Sequence, residues 1–478
     1  MRFRSVKSFF LLAAVSLSLS LSLSGCGRTL MDAADEARIG AEQHPLILKE
    51  FGGVYDDPQL NNYVRRVMAR IARASDKPEA DYQIFVLNTP VVNAFALPGG
   101  YTYVTRGLLA LADNEAELAG VIGHEIAHVT ARHGARRHTA SVGTQIVAGV
   151  LGAALKIGAG INPKATGDLV NLGGAALLAG YSRENEYEAD NLGIQAMARA
   201  GYRPQAQADF LTKLGRYGAY QSGGKQKTNW FSSHPNNAER VTKAYAKAKA
   251  RTTPASTYEG RQAHLAAIDG MAFGDTPQAG IIRGQSFSHA DLALSFRVPK
   301  GFKMQNSPKR VIARHANGVQ IIFDMDARIA NEPASDYLRG GWADGAVLRD
   351  AARLSLAGRA AASGRVKTQN GVALLLAIPH GTEQFLRFGV IAPANAVSAA
   401  EAAMASLKRQ IRFLSAAQVA AIEPLRLKVV SVRAGDTLAG LTRRMRGDDK
   451  RADMFRLINN LQADSRLTVG QKLKLIVE

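Results

Sequence analysis

Two histidines four residues apart, with a glutamate directly after the first, stand at His124-Glu125-Ile126-Ala127-His128. On an α-helix, positions four apart are separated by only about 40° around the axis, so both imidazoles reach one ion. Glu125 is offset by about 100° and borders the same face, within reach of a metal-bound water. Neutral nitrogen ligands, an open coordination position and a carboxylate base beside the water are what hydrolysis at a zinc ion requires. The motif lies inside Leu118 to Ala131, a stretch compatible with a helix throughout.

A third protein ligand is needed. The metzincin pattern would put glycine at 131 and histidine at 134, and this chain has Ala131 and Gly134. On a continuous helix His133 and His138 fall off the metal face and read as ordinary polar positions. A better candidate is Glu186, 58 residues after His128, in Glu184-Asn185-Glu186-Tyr187-Glu188-Ala189-Asp190. Glu186 and Asp190 share a helix face at i, i+4. Glu186 can then bind the ion while Asp190 hydrogen-bonds a ligand histidine from behind. Glu184 and Glu188 point elsewhere, towards solvent. Spacing alone leaves the same run readable as a plain acidic surface patch.

The elements that must position these groups follow from periodicity. Leu60, Val64, Val67, Met68 and Ile71 recur at helical spacing behind Pro58. Tyr82 to Leu87 and Tyr101 to Thr105 read as strands, with Pro98-Gly99-Gly100 marking a turn between them. Asn114 suits a helix N-cap, and Glu115 and Glu117 suit the positive end of its dipole. A helix pair is expected over 166–200, a polar loop over Trp230 to Asn237, and a last helix over Glu239 to Lys249. The segment 142–155 is apolar but too short to span a bilayer, and reads as a buried or interfacial helix.

The segments NAFALPGG, YVTRGLL, HEIAH, NEYEAD and SSHPNNAER occur in that order. Together they resemble the bacterial zinc proteases of the HtpX, BepA and LoiP type, metallopeptidase family forty-eight, relatives of the CAAX prenyl proteases. The resemblance covers residues 30–250. It implies a gluzincin fold, a Zn2+ cofactor with ligands His124, His128 and Glu186, Glu125 as catalytic carboxylate and Asp190 as supporting carboxylate. His234 and Arg240 are candidates to steady the tetrahedral oxyanion, though Arg240 is better read as pairing with an acid. The resemblance also makes His234, in Ser233-His234-Pro235, a residue that can occupy the open zinc position and hold the enzyme shut. Residues Asn93 to Ala96 can serve as an edge that takes substrate backbone as an added strand.

Composition sets the surroundings. The chain has 478 residues and a net charge of +20, with 46% hydrophobic and 21% charged residues. That is globular, too long for one ordinary core, and suited to anionic surfaces. No nucleic-acid module accompanies the charge, so nucleic-acid binding is not expected. Arg2, Arg4 and Lys7 precede an apolar run from Phe9 to Leu23, then Leu23-Ser24-Gly25-Cys26. This resembles the bacterial lipoprotein signal, and Cys26 is the only cysteine, which excludes an intramolecular disulfide. Lipidation at Cys26 is therefore expected, with a periplasm-facing lipoprotein as the outcome. Gly27 after it points by resemblance to the outer membrane.

At the other end, Val432-Arg433-Ala434-Gly435-Asp436-Thr437-Leu438 leads a helical run, a second helix follows through Phe455 and Leu457 to Asn459, and Val469-Gly470-Gln471-Lys472-Leu473 closes. This order resembles the LysM module, which implies binding of N-acetylglucosamine-containing glycans such as peptidoglycan; its charged insert Arg446 to Arg451 departs from the usual pattern. The expected division is 1–25 signal peptide, 26–250 zinc metalloprotease domain, 251–285 linker, 286–414 small α+β domain and 425–478 LysM-like βααβ domain. The protease domain is expected to be mainly α with a small β-sheet. The expected activity is zinc metalloendopeptidase action on misfolded or unassembled envelope proteins, beside the outer-membrane assembly machinery. Two other readings are a periplasmic chaperone or assembly factor that seldom hydrolyses peptides, and a cell-wall-binding lipoprotein with a structural metal. An intact Glu125 argues against the last, since a structural site needs no base.

Overall fold

The computed structural model describes residues 31–137, 180–222, 234, 238–343, 346–447 and 450–478. Cys26, His138, the apolar run 142–155 and most of the expected loop 230–237 lie outside the described residues. Among the described residues no helix is long and apolar enough to cross a membrane.

Helix α1 (Ala33–Glu50) is opened by Asp32 and Asp35, which cap each other's backbone N–H groups. Helix α2 (Pro58–Arg73) starts where Asp57 accepts the Leu60 N–H and Pro58 takes the first turn. Its periodic face, Leu60, Val64, Val67, Met68 and Ile71, is buried. Strands β1 (Gln83–Leu87), β2 (Ala94–Ala96) and β3 (Tyr101–Thr105) form a sheet in the order β1-β3-β2. β1 runs parallel to β3 and β2 antiparallel to it, which leaves β2 at an edge. Between β2 and β3, Gly100 sits at φ +87, and a Cβ there would stand 1.9 Å from the Asp81 carbonyl oxygen. Only glycine fits that turn.

A short helix α3 (Arg106–Leu111) leads into α4 (Glu115–Thr130). Asn114 caps α4 by accepting the Glu117 N–H at 2.8 Å, and Glu117 accepts the Asp113 N–H at 2.8 Å. Every residue from Glu115 to His128 is buried. Helices α5 (Arg183–Arg199) and α6 (Gln205–Ser222) pack on it, and α7 (Ala238–Arg251) packs in turn on α5 and α6.

The stretch 251–285, expected to be a linker, is structured. Helix α8 (Arg261–Ile268) buries His264, Leu265 and Ile268, and strand β4 (Ala272–Phe273) follows. Gly260, Gly270, Gly274 and Gly280 all have positive φ, between +63 and +85. These glycines mark tight turns between short packed elements; counted only as composition, they resemble a loose crossover.

Residues 281–413 form the second body. Strands β5 (Ile281–Arg283), β6 (Ser286–His289) and β7 (Leu294–Arg297) join a four-stranded sheet. A seven-stranded antiparallel sheet holds β8 (Lys303–Ser307), β9 (Arg310–Arg314), β10 (Gln320–Ala327), β11 (Leu348–Leu356), β12 (Arg359–Thr368), β13 (Gly371–His380) and β14 (Gln384–Pro393), in the order β11-β12-β13-β14-β10-β9-β8. Helix α9 (Val397–Gln410) adds Ala400, Ala403, Met404 and Leu407 to the core between the sheets, and β15 (Arg412–Phe413) pairs with β7. The apolar runs Leu292 to Val298, Val319 to Phe323 and Gly371 to Ile378 read as strands, and β7, β10 and β13 lie there, while apolar β14 is not signalled in the same way. β11 and β12, rich in Arg and Ala, are not signalled either, because their strand state comes from pairing with neighbours.

The last segment runs β16 (Leu425–Ser431), α10 (Leu438–Arg444), α11 (Arg451–Ile458) and β17 (Lys472–Val477), with β16 and β17 antiparallel. It does not stand apart. β4 pairs with β16, and Leu427, Leu441, Phe455, Ile458 and Leu475 share one core with α2, α4 and α8. Lys474, fully buried, donates to the carbonyls of Ala110 and Ala112 at 2.9 and 2.7 Å, capping α3. It lies 3.4 Å from Asp113, which also pairs with buried Lys213. Burial pushes the Lys474 amine down to about 7, with Asp113 opposing the shift.

Removing Lys474 strips several buried acceptors of their donor. We expect Lys474→Ala to cost about 3 kcal/mol of stability. Urea unfolding of the full chain measures this, and an unchanged midpoint would show that the contact contributes nothing to stability.

Candidate metal centre

The site is built by a close helix crossing. A Cβ on Gly193 of α5 would stand 2.9 Å from the His124 backbone N and 3.0 Å from the Gly123 carbonyl carbon. With hydrogen at both positions, α5 lies directly against the turn of α4 that carries His124. Glu186 and Asp190 on α5 therefore meet His124 and His128 on α4.

One ligand atom from each of His124, His128, Glu186 and His234 lies within 4.8 Å of the others. The Nε2 atoms of His124 and His128 are 3.0 Å apart. Glu186 lies 3.5 Å from His124 Nε2 and 3.4 Å from His128 Nε2. His234 Nδ1 is 2.9 Å from Glu186 Oε1 and 3.3 Å from His124 Nε2. All four side chains are buried.

Hydrogen bonds from behind decide which nitrogens face inwards. His124 Nδ1 is 2.9 Å from Asp190 Oδ1, so Nδ1 carries a proton, and in the neutral ring the Nε2 lone pair would face the cluster. Asp190 also accepts from Gln207 at 2.8 Å and from Arg240 at 2.6 and 2.9 Å. Arg240 NH1 reaches Glu186 at 2.5 Å. The guanidinium is thus committed to two acids, the structural pairing favoured for it in the sequence. The Tyr181 ring stacks on the His128 imidazole at 3.9 Å between centroids.

The electrostatics follow from burial and these partners. Burial lowers His124, but Glu186 and Asp190 outweigh it and raise the ring to about 9. Burial drives His128 well below the usual histidine range. Burial raises Glu186, yet His234, Arg240 and His124 together hold it well below the usual carboxylate range. Asp190 is likewise held low, with Arg240 overcoming its burial. Glu125 goes the other way: burial raises it, and His234 and His124 offset this only in part. Neither oxygen of Glu125 accepts a hydrogen bond among the described residues, although His234 Nε2 lies 3.5 Å from Oε1. A buried carboxylate without a hydrogen-bond donor among the described residues, beside imidazole nitrogens and a second carboxylate, fits a divalent metal that His124, His128 and Glu186 would hold.

Residues 58–248 match the family described as Peptidase family M48. This stretch is a peptidase family M48 domain. Its relatives include the beta-barrel assembly-enhancing protease of Escherichia coli strain K12, 35% identical over 35% of this chain and 35% of that protein. The protein of the same name in Yersinia pestis is 33% identical over 39% of each chain. The mitochondrial metalloendopeptidase OMA1 of Arabidopsis thaliana is 32% identical over 46% of this chain and 42% of that one. The chain thus spans less than half the length of these relatives.

The M48 domain brings together every expected site residue that is described: His124, Glu125, His128, Glu186, Asp190, His234 and Arg240. Two positions differ from expectation. His133 is buried, 2.8 Å from His128 Nδ1, and Glu188 is 3.1 Å from His133. The chain leaves α4 at Ala131, and Arg132 adopts a left-handed φ of +56, held by Glu36 and the Met31 carbonyl. That turn folds His133 back under His128, which a continuous helix could not do. No pattern in the sequence signals this turn, and none signals Tyr181.

The crossing can be tested without touching a ligand. We expect Gly193→Ala to push α5 off α4 and weaken metal binding at least tenfold in a chain that still folds. Competition with a chromophoric chelator measures it, and wild-type affinity would show that the close approach is not needed.

Proposed function

We propose that the chain is a zinc metalloendopeptidase of the bacterial cell envelope, with His124, His128 and Glu186 as ligands. The observation that carries this reading is the buried Glu125 carboxylate, which accepts no hydrogen bond among the described residues, beside three imidazoles and Glu186. Two imidazoles, one carboxylate and an exchangeable fourth position form a catalytic donor set for zinc. When bound, zinc supplies a Lewis acid and brings the pKa of water near neutrality. Glu125 takes the proton from the attacking water and delivers it to the leaving amine. Asp190 holds His124 in the binding tautomer, and Arg240 neutralises Asp190 and Glu186 from behind. The β2 edge, beside α4, offers backbone groups to an extended substrate.

His234 lies among the ligand atoms and reaches both Glu186 and Glu125. We read it as a latch that fills the exchangeable position at rest and donates to the oxyanion once displaced. Such a latch favours a resting chain with little proteolysis, which accommodates the chaperone-like reading. Relatives named beta-barrel assembly-enhancing protease support a link to β-barrel assembly, and we take misfolded or unassembled envelope proteins as the substrates. Attachment through a lipid at Cys26 would keep the chain at that membrane. We expect Glu125→Gln to keep its metal and lose at least a hundredfold in casein cleavage, and His234→Ala to raise cleavage. Metal analysis beside the cleavage assay checks both; wild-type turnover in Glu125→Gln would end this mechanism.

The strand-helix-helix-strand order of 425–478 supports a LysM-like module that binds peptidoglycan. Arg216 of α6 braces the loop after α11 through Asn460 and the Leu461 carbonyl, at 2.7 and 3.0 Å. Because the module shares its core with the M48 domain, the full chain is the object to test. We expect it to sediment with insoluble peptidoglycan and to be released by N-acetylglucosamine oligomers. If it stays in the supernatant at low salt, the segment is a packing domain only.

A further inference from the structure

His128 has a partner chain of its own, separate from the Asp190 and Arg240 system behind His124. We propose that His133 and Glu188 form a hydrogen-bond relay that fixes the tautomer and rotation of His128, so that both are positioning residues for the metal. The inference rests on the reading that this cluster holds a metal ion.

The geometry assigns each proton. Glu188 Oε2 is 3.1 Å from His133 Nε2, and an ionised carboxylate only accepts, so Nε2 of His133 carries a proton. In a neutral ring, His133 Nδ1 is then an acceptor. It lies 2.8 Å from His128 Nδ1, which must therefore donate. With the proton of His128 on Nδ1, its Nε2 lone pair points at the cluster, 3.0 Å from His124 Nε2. The other tautomer of His128 would set two lone pairs against each other at 2.8 Å and turn an N–H towards the metal position. Arg136 secures the outer end by donating to Glu188 Oε2 at 3.2 Å. Tyr181, stacked at 17° to the His128 ring, sets the plane of the imidazole, while His133 sets its rotation within that plane. The relay exists because Arg132 holds the left-handed turn, a conformation that costs a non-glycine residue about 1 kcal/mol or more.

Glu188 is half-exposed and His133 is buried, so the two can be probed at different risk to folding. Purified full-length chains are titrated with Co2+, reading both affinity and the ligand-field absorption of the bound ion. His133→Phe keeps a ring and removes the acceptor; Glu188→Gln keeps an acceptor and removes the charge. We expect His133→Phe to weaken Co2+ binding about 10- to 100-fold with an altered spectrum, and Glu188→Gln to weaken it less. In the His133→Phe background, Glu188→Gln is expected to add nothing, because Glu188 acts only through His133. Affinity and spectrum within twofold of wild type for Glu188→Gln, or equal losses from it in both backgrounds, would overturn the relay. A wild-type chain that binds no Co2+, or a His128→Ala chain that binds as well as wild type, would instead overturn the metal reading itself.

Discussion

Everything at the centre depends on how closely α5 approaches α4. Gly123 and Gly193 face each other where the helices cross, and a single Cβ on Gly193 would collide with backbone. That approach puts the first two turns of α5 against the last two turns of α4. Glu186 and Asp190, one turn apart, then meet His124 and His128, also one turn apart. Two i, i+4 pairs face each other across the crossing. The arrangement is rigid because α4 is enclosed along almost its whole length.

Enclosure creates an electrostatic problem that the same residues resolve. Glu125, Glu186 and Asp190 are buried carboxylates, and Arg240 is the buried guanidinium that faces two of them. Three negative charges against one positive leave a deficit of two when all are ionised. A buried charge without compensation costs several kcal/mol. Without an ion, raised proton affinity at His124 and Glu125 offsets the deficit. A divalent cation at the cluster would take the place of those protons, which would couple metal binding to folding. The partners behind His124 and His128 differ: a fully buried, Arg-paired aspartate on one side, and a histidine leading out to a half-exposed glutamate on the other.

The C-terminal segment changes how the chain is divided. Its strands, helices and the 261–273 stretch complete the core on which α2, α3 and α4 rest. Lys474 reaches through that core to the end of α3, and Asp113, one residue before the α4 cap, sits in the same cluster. The start of the helix that carries His124 and His128 is therefore braced by Lys474, more than three hundred positions away. The 281–413 body keeps its own cores and packs as a separate unit.

The sequence by itself determined what is local. Helical spacing made His124, Glu125 and His128 one face, Asn114 and Pro58 marked helix starts, and alternating apolar runs marked several strands, because these signals depend only on a few neighbouring residues. It also offered Glu186 and Asp190 as a pair, without saying what they faced. Tertiary structure decided the rest. His133 and Glu188 join the site only because the chain turns left-handed at Arg132, and neither Arg nor its neighbours encode that turn. Tyr181 stacks on His128 only because α5 starts beside the end of α4. Arg-rich β11 and β12 are strands because they are paired, and 261–273 is core because 425–476 covers it. Each of these rests on contacts between residues far apart in the chain, where no local preference reaches.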